Sequence, residues 1–236
     1  QIRDLRRRPH VVIGTPGRLK DLFERRELNL KSVSTLVLDE ADRMLDMGFL
    51  PDIRRLVGEL PRERQTLFFS ATITPEIQVL TTSFLDDPVT ISVRTTETSD
   101  HVEQDVVYYS DKEDKYNQLE DMLRKEAYDK VLVFGETKFG VQRLADRLNN
   151  SGVSAAAIHG NKSQSQRQRA LDAFKASKVN VLVATDVAAR GLDIPNVSHV
   201  INFDTPQTYQ DYIHRIGRTG RGGASGHAHT FLTKRY

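Results

Sequence analysis

The sequence predicts an α/β protein made of two doubly wound parallel-sheet domains, the first of them incomplete. Three observations predict it. Short apolar or β-branched runs alternate with amphipathic helical patterns, as expected of strands buried on both faces. A mostly polar stretch without period, Ser92–Gln104, interrupts that rhythm. Six strand-like runs follow the interruption and only three precede it.

The early runs are Val11–Ile13, Thr35–Leu38 and Thr66–Phe69, each followed by polar or turn-forming residues. Helical patterns at Arg18–Arg26 and Pro51–Leu60 lie between them. Thirteen residues from Ser92 to Gln104 span up to ~40 Å when extended, enough to let two domains move. The later runs are Asp105–Tyr109, Lys130–Phe134, Ser154–Ile158, Val179–Ala184, His199–Phe203 and His227–Leu232. Helical patterns run over Lys112–Glu126, Lys138–Ser151, Ser163–Ser177 and Thr208–Ile216. That set completes a doubly wound domain. The expected division is residues 1–95, a linker at 96–104, and residues 105–236.

Composition excludes several classes. With 38% hydrophobic residues and a net charge of +2, the chain has globular rather than disordered values. Zero cysteine removes disulfides, thiolate catalysis and Cys-based zinc sites. No apolar run approaches the ~18 residues of a membrane span, and no signal peptide leads the chain. Charge is unevenly placed: from Thr205 to Tyr236 five basic residues face a single acid, Asp211, a local charge of +4. His227 and His229 share a strand face, but with no third ligand evident they predict no metal site.

Asp39-Glu40-Ala41-Asp42 follows the run Thr35–Leu38. A carboxylate at the end of a buried parallel strand sits at the sheet's ligand-binding edge, where P-loop nucleotidases hold Mg²⁺. An adjacent Glu can act as general base. The same residues also suit the N-cap and first turn of a helix. Ser70-Ala71-Thr72 ends the next strand, its hydroxyls suited to relay hydrogen bonds or simply to cap. In His214-Arg215-Ile216-Gly217-Arg218-Thr219-Gly220-Arg221, three guanidinium groups at three-residue spacing call for anions or else form a solvated basic turn. Thr185-Asp186, Arg190-Gly191 and Asp193 follow the run Val179–Ala184, and Thr15-Pro16-Gly17-Arg18 follows Val11–Ile13. Both have the hydroxyl and backbone donors that suit phosphates, and both are also common loop compositions.

Taken together and in order, these motifs resemble those of the DEAD-box ATP-dependent RNA helicases. TPGR, DEAD with RMLDMGF, SAT, VFGETK (Val133–Lys138), QSQR (Gln164–Arg167), ATDVAARGLDIP (Ala184–Pro195) and HRIGRTGR run across the whole chain. The resemblance implies two RecA-like domains, the first N-terminally truncated. It implies ATP and Mg²⁺ as cofactors, RNA bound through its backbone as partner, no membrane and a cytoplasmic location. Asp39 would hold Mg²⁺ through water and Glu40 would activate the attacking water. Arg218 and Arg221 would be arginine fingers toward the γ-phosphate. Asp193 would meet the ribose. Asp42, Ser70, Thr72 and His214 would couple hydrolysis to domain closure. Thr15, Gly17, Arg18, Gly135, Thr137, Gln164, Arg167 and Thr185 would hold RNA, and the helix near Leu19 would bend one strand.

The string G-x-x-x-x-G-K-[ST] does not occur; Gly160-Asn161-Lys162-Ser163 is the nearest approach. Members of that family carry it upstream of TPGR. The opening Gln1 in place of Met, together with this gap, predicts a preceding segment that holds the phosphate loop and the adenine-reading residues. The chain alone is then expected to be inactive, with part of its first sheet uncovered. Two competing readings are a non-catalytic RNA-binding module and a DNA helicase of the same superfamily.

Overall fold

A computed structural model describes residues 1–92, 101–125, 128–189, 194, 196–220 and 224–234. It divides into two compact units, Gln1–Ser92 and Val93–Tyr236.

The first unit carries a two-stranded parallel sheet, β1 (Thr35–Leu38) beside β2 (Gln65–Phe68), with Leu38 opposite Phe68. Around it lie α1 (Ile2–Leu5), α2 (Pro16–Glu24), α3 (Ala41–Asp46), α4 (Leu50–Val57) and α5 (Pro75–Phe84). Proline sits in the first turn of α2, α4 and α5, where its missing N–H has no intrahelical partner to lose. The expected strand at Val11–Ile13 does not form. Ile13 is 92% exposed, and no described residue pairs with this run, so its apolar character has no ladder to join. The first unit therefore has two strands rather than three. On one face of those two, Val37, Leu67 and Phe69 remain 52%, 37% and 53% exposed.

The second unit is a six-stranded, all-parallel sheet in the order β3-β8-β7-β4-β6-β5. The strands are β3 (Val102–Tyr109), β4 (Val131–Phe134), β5 (Ala155–Ile158), β6 (Val181–Ala184), β7 (His199–Asn202) and β8 (Gly226–Thr233). The helices are α6 (Lys112–Leu123), α7 (Lys138–Asn150), α8 (Gln164–Lys175), the short α9 (Asp186–Ala189) and α10 (Tyr209–Ile216). Every residue of β4, β6 and β7 is buried, which explains why β4 and β6 read as continuous apolar runs. Alternation sorts them onto two faces. Val131, Val133, Val181 and Val183 pack with Leu119, Leu144 and Leu148 of α6 and α7. Leu132, Phe134, Leu182 and Ala184 pack with Leu171 and Phe174 of α8.

This topology places the site. The chain leaves β4 toward β5 on one side, then returns through β6 and crosses to β7 on the other. The reversal falls at β4, and a crevice outside the C-terminal strand ends is where such sheets bind ligands. There the turns after β4, β6 and β7 converge.

Candidate functional site

In the first unit the two strands deliver their terminal residues side by side. The Phe69 amide donates to the Leu38 carbonyl at 2.8 Å, and the Ala41 amide donates to the Phe69 carbonyl at 3.0 Å. Asp39 is exposed at the end of β1, and one of its carboxylate oxygens accepts the Glu40 amide at 2.9 Å. Glu40 has φ 51°, a left-handed conformation that starts α3 abruptly and leaves its own side chain out of any capping bond. Its carboxylate lies 3.7 Å from Arg43 Nε. So the helix-start reading of this tetrapeptide holds for the backbone, while the Asp39 and Glu40 side chains stay exposed.

Asp42 differs, being only 4% exposed. One of its oxygens accepts both the amide and the hydroxyl of Thr72, each at 3.0 Å. The other accepts the Arg43 amide at 3.0 Å. Ser70 Oγ donates to the Thr72 carbonyl at 2.7 Å, bracing the turn after β2. The two motifs are thus bonded to one another through Asp42.

Thr15 and Arg18 stand at the start of α2 rather than in a loop after a strand, with Gly17 in the first helical turn. The Arg18 guanidinium is engaged by Gln1 Oε1, at 3.0 and 2.7 Å, and by Asp21.

In the second unit the turn after β4 requires Gly135. A Cβ there would lie 2.9 Å from Val141 Cγ2 and 3.6 Å from Asp204 Oδ2. Thr137 caps α7 by accepting the Gly140 amide at 2.9 Å. Ser163 and Gln166 form a capping box at α8, which puts Gln164 in its first turn. Among the described residues Arg167, one turn on, hydrogen-bonds only the Gly160 carbonyl, at 3.4 Å. Burial pushes the neighbouring His159 below its ordinary value, helped by Lys162 and Arg167. Thr185 follows β6, and its carbonyl accepts the Ala188 and Ala189 amides at 3.0 and 2.9 Å. His214 lies in the last turn of α10, and Arg218 follows it. Asp193, Arg190, Gly191 and Arg221 lie outside the described residues.

Arg215 corrects the reading of three guanidinium groups awaiting anions. It is 3% exposed and turned inward. Its Nε and Nη2 donate to the two carboxylate oxygens of Asp186 at 2.7 and 2.8 Å. Nη1 donates to the Asp204 carbonyl at 2.6 Å and to Asn202 Oδ1 at 3.2 Å. The guanidinium also lies over the Phe134 ring, 5.1 Å from its centroid. Asp204 holds the turn after β4, accepting the Glu136 amide at 2.9 Å, and pairs with the buried Lys115 at 2.9 Å. Sequence reasoning missed Asn202 and Asp204. The available signal was a polar residue at the end of a buried strand, Asn202 after Val200-Ile201.

Both units are similar to known proteins. Residues 1–80 match the family described as DEAD/DEAH box helicase, and residues 114–223 match the helicase conserved C-terminal domain. Over 99% of its length the chain is 47% identical to ATP-dependent RNA helicase DBP2 of Candida albicans. The chain belongs to the DEAD-box helicase family. It is also 47% identical to the DEAD-box ATP-dependent RNA helicase CshA of Geobacillus kaustophilus, over its whole length. The chain spans 42% of the first of these relatives and 50% of the second, about half the length of each. Among solved structures, S. cerevisiae Dbp5 bound to RNA and ADP BeF3 superposes with a TM-score of 0.81 at 31% identity, covering 95% of this chain and 60% of that one. The E. coli DEAD-box protein SrmB, bound to the regulator of ribonuclease activity A, is 39% identical with a TM-score of 0.54, covering 56% of this chain and 78% of that one. Among the described residues no helix is long and apolar enough to cross a membrane.

Proposed function

We propose that this chain is part of an ATP-dependent RNA helicase that binds the RNA backbone and remodels RNA by hydrolysing ATP. The observation that carries the reading is the pair of strand ends in the first unit, where Asp39 and Glu40 are presented beside Ser70 and Thr72 by the Asp42–Thr72 bonds. Residues 1–95 are then a partial ATP-binding domain, 96–104 a linker whose last residues, from Val102, enter β3, and 105–236 the helicase C-terminal domain.

The chain's own residues have distinct tasks in this reading. An exposed carboxylate with oxygen donors suits a hard cation, so Asp39 fits Mg²⁺ held through water. Mg²⁺ bound there would offset charge on the phosphate oxygens. Glu40 takes the proton of the attacking water. Arg218 and Arg221 supply positive charge toward the γ-phosphate, a contribution of ~10³–10⁵ in rate where it has been measured. Asp193 meets the ribose, and Asp42, Ser70, Thr72 and His214 transmit the nucleotide state. Thr15, Gly17, Arg18, Gly135, Thr137, Gln164, Arg167 and Thr185 hold phosphate and sugar, which carry no sequence information. The cell compartment follows the RNA, and cytoplasm is the reading offered.

The test is ATP hydrolysis by the full-length protein with single-stranded RNA, with DNA of the same sequence, and with neither. Stimulation by RNA over DNA is expected. Equal stimulation by DNA favours a DNA helicase, and no hydrolysis favours a binding module. Residues 1–236 alone lack a phosphate loop and are expected to hydrolyse ATP negligibly.

A further inference from the structure

Arg215 has no place among the residues assigned above, yet its guanidinium bonds Asp186, Asn202 and the Asp204 carbonyl at the strand ends of this unit. Its fork is fully used. Two nitrogens meet the Asp186 carboxylate, and the third meets the Asp204 carbonyl and Asn202. Asp186 is the residue after Thr185. Asp204 holds the Glu136 amide, between Gly135 and Thr137. The loop is drawn tighter by Gln207, whose side-chain amide donates to Glu136 Oε1 at 3.4 Å. Arg215 therefore holds the turn after β6 directly, and reaches the turn after β4 through Asp204, whose carbonyl it binds and whose carboxylate accepts the Glu136 amide. At its other end, its carbonyl accepts the Arg218 amide at 3.1 Å, so the backbone that carries Arg218 is fastened to the same residue.

Rigidity makes the arrangement informative. A bidentate guanidinium–carboxylate pair fixes angle as well as distance. Its members cannot shift singly without leaving a buried charge unpaired. A displacement of the Thr185–Asp186 turn is passed to Arg215 and from there to the end of α10.

We propose that Arg215 is a positioning residue that links RNA contact at the turns after β4 and β6 to the placement of Arg218, with Asp186 as its carboxylate partner. The link rests on the RNA helicase reading above. It adds a route within the second unit by which bound RNA reaches the arginine that serves ATP.

Arg215→Lys and Asp186→Asn in the full-length protein test it. Each is expected to lower the RNA stimulation of ATP hydrolysis about tenfold, within the 5- to 150-fold range common for coupling between sites. Nucleotide affinity measured without RNA is expected to stay within about twofold, because Arg215 and Asp186 are engaged with one another rather than assigned to the nucleotide. The double variant falls no further than either single one, since both break one link. A protein in which RNA stimulation survives both substitutions overturns the proposal. So does a parallel loss of RNA-free nucleotide affinity, which marks the pair as packing alone. If the unsubstituted protein shows no RNA stimulation, the helicase reading itself fails. A second measurement needs no variant and decides the matter if the substituted chains do not fold. Hydrogen exchange on the unsubstituted protein, with saturating RNA and no nucleotide, should slow at the amides of residues 215–219 as well as near Thr185. Slowing near Thr185 alone overturns the link.

Discussion

One oxygen of Asp42 accepts two hydrogen bonds from a single residue, the amide and the hydroxyl of Thr72, each at 3.0 Å. The carboxylate is 4% exposed, so it cannot turn to water for a replacement. Thr72→Val keeps the amide and removes the hydroxyl. We expect a loss of about 1–2 kcal/mol, the cost of depriving a buried charged acceptor of one donor. Thr72→Ser keeps the hydroxyl and is expected to stay near the parent. Denaturant unfolding followed by circular dichroism reads both. Equal midpoints for Thr72→Val and the parent would show that this bond carries no stability.

Gly220 has φ +67°, and a Cβ added there would lie 2.7 Å from Val102 Cγ2 and 3.2 Å from the His101 carbonyl. Conformation and space both exclude a larger residue. Gly220→Ala is expected to cost about 1–3 kcal/mol from the left-handed backbone alone, with the contact adding to it. Gly152, with φ +86° and open space around its missing Cβ, is the control. Gly152→Ala should show the conformational cost without the clash. Thermal melts ranking Gly152→Ala as the worse of the two would refute this account.

Three histidines stack on β7 and β8. The His199 ring lies 4.8 Å from His227 and 5.8 Å from His229, and Tyr128 stacks on it at 4.1 Å. Burial, then the two neighbouring histidines, push His199 down to about 4 from its ordinary 6.5. Burial also lowers His229, though Asp105 on β3 partly opposes it. A depressed histidine means that the unfolded chain binds more protons between the two values. Stability is therefore full above pH 6.5 and falls as pH drops toward 4. The melting temperature should fall between pH 7 and about pH 5, and His199→Phe should flatten that fall. An unchanged slope in His199→Phe would acquit the stack.

These cases show what the chain order makes legible. Thr35–Leu38 and the carboxylate after it could be read because a buried parallel strand is an apolar run, and its C-terminal end is a ligand edge. Asp39–Asp42 reads equally as chemistry or as a helix start, and the structure begins α3 there while leaving the Asp39 and Glu40 side chains exposed. Helix α5 carried a signal that pattern-reading passed over, Thr74 before Pro75, and Thr74 does cap it. Val11–Ile13 has strand composition without a strand partner, and pairing is a property of two segments. Arg215 is the same lesson in charge. Its motif suggested an anion from outside, whereas its anion is Asp186, 29 residues earlier and brought near by the β6–β7 crossover. The third histidine of the stack is also invisible locally, since His199 meets His227 only through the register of two strands.

Among the arginines expected to meet RNA, their present partners set an order. Arg18 is already held by Gln1 and Asp21, so binding a phosphate means giving up bonds to the N-terminal residue and within α2. Arg167 has one long bond to the Gly160 carbonyl, and its Nε has no hydrogen-bond partner among the described residues. A phosphate brings Arg167 partners it lacks, and brings Arg18 only an exchange. Arg167→Ala is therefore expected to weaken RNA binding more than Arg18→Ala. Each lost phosphate contact should lower the slope of log affinity against log salt by about 0.7 for a single strand. The loss should be uniform across RNA sequences, because these contacts position rather than read. Filter binding of the full-length protein to two unrelated single strands over a salt series measures all three quantities. A larger effect from Arg18→Ala would mean that the Gln1 and Asp21 bonds are released at no cost. A sequence-dependent effect at Arg167 would assign that side chain to a base rather than a phosphate.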